Sequence, residues 1–256
     1  MADLMTAPVK DRVSAAEWEA RVNLAACYRL VALHGMTDMI ANHISVSVLG
    51  EPGNFLINAY GMLYEEITAS SLYKIDLDGN VILKPDTDYG INRAGFVIHS
   101  AIHRARHDVA CVIHTHTPAG MAVSSLKRGL LPMTQTAMRF SQAPIHAYES
   151  VAVDLDEQAR IVADLGDADI LLLRNHGLLA VGPSIPEAFS NIYRLELACK
   201  AQLMAQASGD EIVLPSPEIV AKTNHLYKPT TRRPFGVLEW PALLRQLDRR
   251  DPSYKE

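Results

Sequence analysis

Apolar positions along this chain switch repeatedly between a helical period and a strand period, and the switches fall at turn residues. Ser14-Ala15-Ala16-Glu17 is a capping-box pattern and predicts a helix running to about His34, where Gly35 stops it. His43 to Val48 alternates and is rich in β-branched residues; Phe55 to Asn58 is a second short run. Glu51-Pro52-Gly53-Asn54 between them is turn chemistry, so the pair predicts a hairpin. Ile67-Thr68-Ala69-Ser70 begins a short helical turn, and Leu72 to Leu77 with Val81 to Leu83 flank Asp78-Gly79-Asn80 as a second hairpin. Phe96, Ile98, Ala101, Ile102 and Ala105 return to helical spacing over 94–106. Ala110 to His114 is a compact apolar strand, and Pro118 suits the first turn of a helix reaching about Leu126. Asp156 to Leu165 is predicted helical, capped from the Asp154–Asp156 region and stopped by Gly166. Ile170 to Leu173 and Leu178 to Val181 are buried strands, and Ser184-Ile185-Pro186-Glu187 opens the longest helix, to about Ala207. Prolines 215, 217, 229 and 234 follow, then a short helix near Ala242 to Leu247 and a charged tail, Asp248 to Glu256, expected to fray.

Helices and strands therefore interleave from end to end, with no linker-like stretch and no internal repeat. One domain over 1–256 is predicted, with a core at about 18–208 and an extension at 209–256. Its class is an α/β sandwich whose hairpins call for antiparallel pairs in the sheet. A chain 48% hydrophobic and 21% charged fits a globular protein able to bury a core unaided. A net charge of −5 gives no reason to expect nucleic acid or an anionic membrane as partner. No apolar run approaches the ~18 residues of a membrane span, and the N-terminus lacks a secretory pattern. Cys27, Cys111 and Cys199 are scattered and sit in apolar patterns, which points to buried thiols and a reducing cytoplasm. Cys111 is three strand positions from His114 and faces the other way.

Ten histidines punctuate the chain. His99, His103 and His107 lie at four-residue spacing; a metal-binding helix face is one reading, a polar helix face the favoured one. His114-Thr115-His116 follows the apolar run Ala110-Cys111-Val112-Ile113, so both imidazoles share one strand face at a strand end. His176 closes a second buried strand against Gly177, a residue that lets backbone approach closely. Two strand ends delivering three imidazoles make an open catalytic metal site; polar residues closing two strands are the alternative that spacing alone leaves standing.

The motifs around these histidines resemble the class II aldolase/adducin family. Asn42-His43-Ile44-Ser45 resembles its asparagine–serine turn, and Ile57 to Thr68 its next block. Asn92-Arg93-Ala94-Gly95-Phe96 through His99, with Val112 to Gly120, is similar to its central block, and Leu171 to Gly177 to its third-histidine block. The resemblance implies an α/β/α sandwich around a mostly antiparallel sheet, and a homotetramer with sites at subunit interfaces. It also implies one divalent metal per subunit on His114, His116 and His176, zinc first, with manganese or iron as alternatives. Sugar-phosphate aldolases of the family carry a catalytic glutamate where this chain has Gly95, and often phosphate-holding serines where it has Arg93 and Ala94. The block from Asn92 to Gly120 looks closer to the adducin-like branch.

An ion on three imidazoles can act as a Lewis acid on a hydroxy or oxo carboxylic acid and stabilise an enolate left by C–C cleavage. Without the glutamate, decarboxylation is slightly favoured over retro-aldol cleavage. An Fe(II) oxygenase and a non-catalytic adducin-like assembly protein are the alternatives. Arg93 is the candidate fork for a second carboxylate, against a surface ion pair. Asn42 and Ser45 are candidates for substrate oxygens, against a bare turn role. Tyr60 and Tyr64 are candidates for a proton donor or an aromatic wall, against core packing. Glu65 or Glu66 could replace the missing acid, and Tyr148-Glu149 could line a neighbour's site.

Overall fold

The computed structural model describes residues 7–151, 155–231 and 233–256. Ser14 caps α1 (Ala15–Leu33) by accepting the Glu17 N–H at 3.1 Å, and His34 with Gly35 (φ +65°) ends it. The Glu17 carboxylate does not turn back to close a capping box. It points inward to the Arg21 guanidinium and the Lys74 ammonium, each at 2.8 Å. Next come β1 (His43–Ser47), β2 (Asn54–Asn58), β3 (Leu72–Asp76) and β4 (Val81–Leu83), the two hairpins predicted from their turns. Two short 3-10 turns, Tyr64–Glu66 and Ala69–Ser71, join the hairpins.

The second half runs α2 (Arg93–Ala105), β5 (Cys111–Thr115), α3 (Pro118–Ser125), α4 (Gln135–Met138) and β6 (Ile145–His146). It continues through α5 (Glu157–Leu165), β7 (Ile170–Leu173), β8 (Gly177–Gly182) and α6 (Ile185–Ala207), then α7 (Pro217–Leu226) and α8 (Trp240–Asp248). Asp154, proposed for the α5 cap, lies outside the described residues.

Among the described residues eight strands form one sheet, in the order β4-β3-β2-β1-β5-β8-β7-β6. Every neighbouring pair is antiparallel except β6 with β7. Alternation sends Cys111 and Ile113 of β5 to the face covered by α1 and α6, and Val112 to the face covered by α2 and α5. Helices thus cover both faces, and burying each aliphatic side chain between them contributes roughly 1.5–3 kcal/mol. The three cysteines are buried and unbridged. Among the described residues no helix is long and apolar enough to cross a membrane.

The tail corrects one expectation. Residues 248–256 do not fray: Pro252–Lys255 is a 3-10 turn, Tyr254 is fully buried, and the Glu256 carbonyl accepts the Ser70 N–H at 2.8 Å. Arg29 pairs with Asp251, and the Trp240 indole N–H donates to Asn23. A charge-rich composition hid one large aromatic anchor, and that anchor holds the segment to α1.

Candidate metal centre

β5 lies between β1 and β8, and its C-terminal end carries the first two imidazoles. His114 is fully buried on the α2 face, opposite His43 of β1 and Leu179 of β8 in the ladder. His116 stands just past the strand end, and Thr117 with Pro118 at once starts α3. His176 comes from the β7–β8 turn. There Asn175 adopts φ +56°, a left-handed conformation that asparagine tolerates. Gly177 is required at the next position, because a β-carbon there would run into the Thr115 carbonyl oxygen.

The three rings converge through one nitrogen each. His116 Nε2 lies 2.7 Å from His114 Nε2 and 2.9 Å from His176 Nε2. Their candidate ligand atoms all fall within 4.8 Å of one another. Two rings are fixed from behind: His114 Nδ1–H donates to the Leu178 carbonyl at 2.9 Å, and His116 Nδ1–H to Asp38 Oδ2 at 3.1 Å. That tautomer leaves the Nε2 lone pairs free, the arrangement that ligating histidines adopt. Burial, reinforced by the neighbouring rings, holds the His114 pKa well below the ordinary value and brings His176 down to about 4. Both are neutral near pH 7, as ligands must be. The donor set therefore fits one divalent ion with an open coordination position.

His116 and His176 open onto a cavity of about 260 Å³, also lined by His43, Tyr60, Asn92 and Tyr148. Behind it runs a buried chain of polar side chains. His43 Nδ1 meets His99 Nε2 at 2.8 Å, and His99 Nδ1 meets Ser45 Oγ at 2.6 Å. Ser45 Oγ meets His103 Nε2 at 2.7 Å, and His103 Nδ1 meets Ser47 Oγ at 3.0 Å. Burial keeps His43, His99 and His103 neutral, with His103 lowered to about 4.

Several sequence-based expectations are corrected here. His99 and His103 do not form a polar surface; they are buried against β1, while His107 is exposed beyond the helix. Ser45 is fully buried with its hydroxyl committed to two histidines, so it does not face substrate. Tyr64 is also fully buried, edge-on to Tyr28 at 4.6 Å, in the cluster that α1 covers on the other face of the sheet. Glu65 is exposed and borders a different cavity, with Arg29 and Arg250. Neither residue reaches the imidazoles. Glu66 instead accepts the Leu63 N–H, and Glu149 pairs with Arg160. Asn42 is buried and accepts the Asp38 N–H at 2.7 Å, so it shapes the loop that delivers Asp38. Tyr60 lines the cavity, and Tyr148 lines this chain's own cavity. Arg93 is exposed at the start of α2, between two lining residues and not itself among them.

Asp38 is a residue that sequence reasoning missed, and no motif marks it. His146 is another. It is buried next to the site, with Nδ1 2.7 Å from Asp164 and Nε2 3.3 Å from Glu157. Those carboxylates come from α5, at helical spacing, which sequence alone does not connect to the two-residue β6.

Residues 22–203 match the family described as Class II Aldolase and Adducin N-terminal domain. The crystal structure of an aldolase II superfamily protein from Pseudomonas syringae superposes with a TM-score of 0.93 at 49% identity, over 98% of this chain and 100% of that one. An L-fuculose 1-phosphate aldolase from Glaciozyma antarctica PI12 superposes with a TM-score of 0.82 at 26% identity, over 100% and 99% of the two chains. Alpha-adducin of Rattus norvegicus is 42% identical over 247 residues, covering 89% of this chain and 33% of adducin.

Proposed function

Since the chain belongs to the class II aldolase and adducin family, we propose that it is a divalent-metal-dependent carbon–carbon lyase acting on a small hydroxy or oxo carboxylic acid. The observation that carries this reading is the convergence of three imidazole Nε2 atoms at the wall of a substrate-sized cavity. A bound divalent ion, zinc first and manganese or iron next, would polarise the acid's oxygens and offset the negative charge that builds up as the C–C bond breaks.

The chain's own groups divide the remaining work. His114, His116 and His176 hold the ion, and Asp38 and the Leu178 carbonyl keep two of those rings in the ligating tautomer. Among the described residues no carboxylate lines the cavity. A retro-aldol step needs a base to take a hydroxyl proton before the bond breaks, whereas decarboxylation needs only a proton donor afterwards. Decarboxylation is therefore slightly favoured, with the Tyr60 and Tyr148 hydroxyls among the proton donors lining the cavity. Arg93, exposed beside the cavity, is assigned to a second carboxylate of the substrate. A homotetramer, as the resemblance implies, is supported by the exposed apolar side chains of Tyr193, Leu197 and Met204 along α6.

The 42% identity with alpha-adducin favours one other reading, a non-catalytic assembly protein. Metal content by plasma mass spectrometry separates the two. Native protein is expected to hold about one ion per chain, and His116→Ala to lose it. Zinc or manganese then directs assays to carbon dioxide or aldehyde release, and iron to oxygen uptake. Native protein that holds no ion and takes up none would end the lyase reading and leave the assembly role.

A further inference from the structure

His43 and Gly95 compete for one space. A β-carbon on Gly95 would lie 2.8 Å from both Cγ and Cδ2 of the His43 ring, closer than real β-carbons approach a neighbour, and 3.3 Å from its Cβ. Gly95 is in the first turn of α2 with ordinary helical geometry, so backbone conformation does not call for a glycine there. What does call for it is the imidazole. The ring is pinned on two sides: Nδ1 is tied to His99 at 2.8 Å, and the ring face tilts against His114 with centroids 4.9 Å apart. The hydrogen bond that the ring makes among the described residues uses Nδ1, which leaves Nε2 uncommitted, and His43 lines the same cavity as His116 and His176.

We propose that His43 is a substrate-contacting group of this centre, seated in the space that Gly95 leaves and offering Nε2 to the bound acid. This rests on the metal-centre reading above. The chain behind the ring gives it an unusual freedom. With every imidazole neutral, the sequence His43–His99–Ser45–His103–Ser47 has two fully satisfied hydrogen-bonding directions. In one, Ser47 donates to His103 Nδ1, His103 to Ser45, Ser45 to His99 and His99 to His43 Nδ1, so that His43 Nε2–H is a donor to the cavity. In the other, every donor and acceptor is exchanged and His43 Nε2 is an acceptor. Reversing the chain passes one proton along it, released at His43 Nε2 to the bound acid and regained at the part-buried Ser47 hydroxyl from solvent, so what His43 offers the substrate changes while no unpaired charge stays in the core, where it is strongly disfavoured.

The test uses full-length protein loaded with cobalt, whose visible spectrum reports on its ligands, and acetohydroxamate, a small chelator with both donors and an acceptor. His43→Phe is expected to keep its cobalt and to bind acetohydroxamate at least tenfold more weakly than native protein. Equal affinity in the two, or loaded native protein that does not bind acetohydroxamate, overturns the inference. Native protein that takes up no cobalt instead overturns the metal-centre reading on which it rests. Shared space is tested by thermal melting. Gly95→Ala is expected to lower Tm by roughly 3 °C or more, as overpacking does, but not to lower it in a His43→Ala background. Should Gly95→Ala not fold, recovery of folded protein in the double variant carries the same conclusion, and additive effects overturn it. For the relay, acetohydroxamate added to zinc-loaded protein should shift the ¹⁵N resonances of His103, and Ser45→Ala should abolish that response. No response in native protein, or one that survives Ser45→Ala, rules the relay out.

Discussion

Asp38 holds His116 Nδ1 at 3.1 Å, and a carboxylate at that nitrogen both fixes the tautomer and strengthens the ligating lone pair. Asp38→Ala is therefore expected to weaken metal affinity by about 10–100-fold while leaving the fold intact. Competition against a chromophoric chelator measures it, and unchanged affinity would show that the carboxylate is a bystander. Asp38→Asn keeps an acceptor for the N–H and should fall between the two. Legibility at this scale followed locality. His114 and His116 were readable because i and i+2 share a strand face. Asp38 was not, because it meets His116 from 78 residues away. The places of Ser45 and Tyr64 were not legible, because residue type says that a hydroxyl wants a partner, not on which side of the sheet it finds one.

Elements bring those residues to their places, and two respond to defined changes. Gly177 begins β8 where Thr115 ends β5, and its missing β-carbon lets the two strands close. Gly177→Ala is expected to destabilise the protein by ~1–3 kcal/mol and to loosen His176, read by urea denaturation and by metal content. The α2 histidines carry a pH dependence. Unfolded, an imidazole binds a proton near 6.5; folded, His103 resists until about 4, and His99 is depressed in the same direction. Between those values the unfolded chain holds more protons, so stability is complete above about pH 6.5 and is lost as pH falls toward 4. The slope approaches ~1.4 kcal/mol per pH unit for each ring. Melting of metal-free protein across pH 4–7 measures it, and His103→Phe should flatten the curve. The hairpins were legible from turn chemistry, and α1 and α6 from their caps. β6 was not, being two residues long, and α7 was hidden among prolines, one of which lies at its first position.

At the scale of the molecule, one sheet of eight strands carries helices on both faces, and the C-terminal segment locks onto the first helix through Tyr254. Truncating a fully buried aromatic ring costs about 3–5 kcal/mol, so Tyr254→Ala should lower the urea midpoint sharply although it lies outside the cavity. An unchanged midpoint would mean that the tail contributes nothing to the core. The α/β layering and the antiparallel bias were readable from interleaved periods. The strand order was not, because β5 pairs with β1 and β8 across some 65 residues on either side. That separation also bears on timing. An unfolded chain offers His114 and His116 as neighbours but keeps His176 sixty residues away, so it can grip an ion with only two rings. The third ring joins them through the β5–β8 ladder, so high-affinity capture is expected to follow closure of that ladder. A captured ion would act as a clasp between the end of β5 and the β7–β8 turn, and stripping it should hasten unfolding more than it slows refolding.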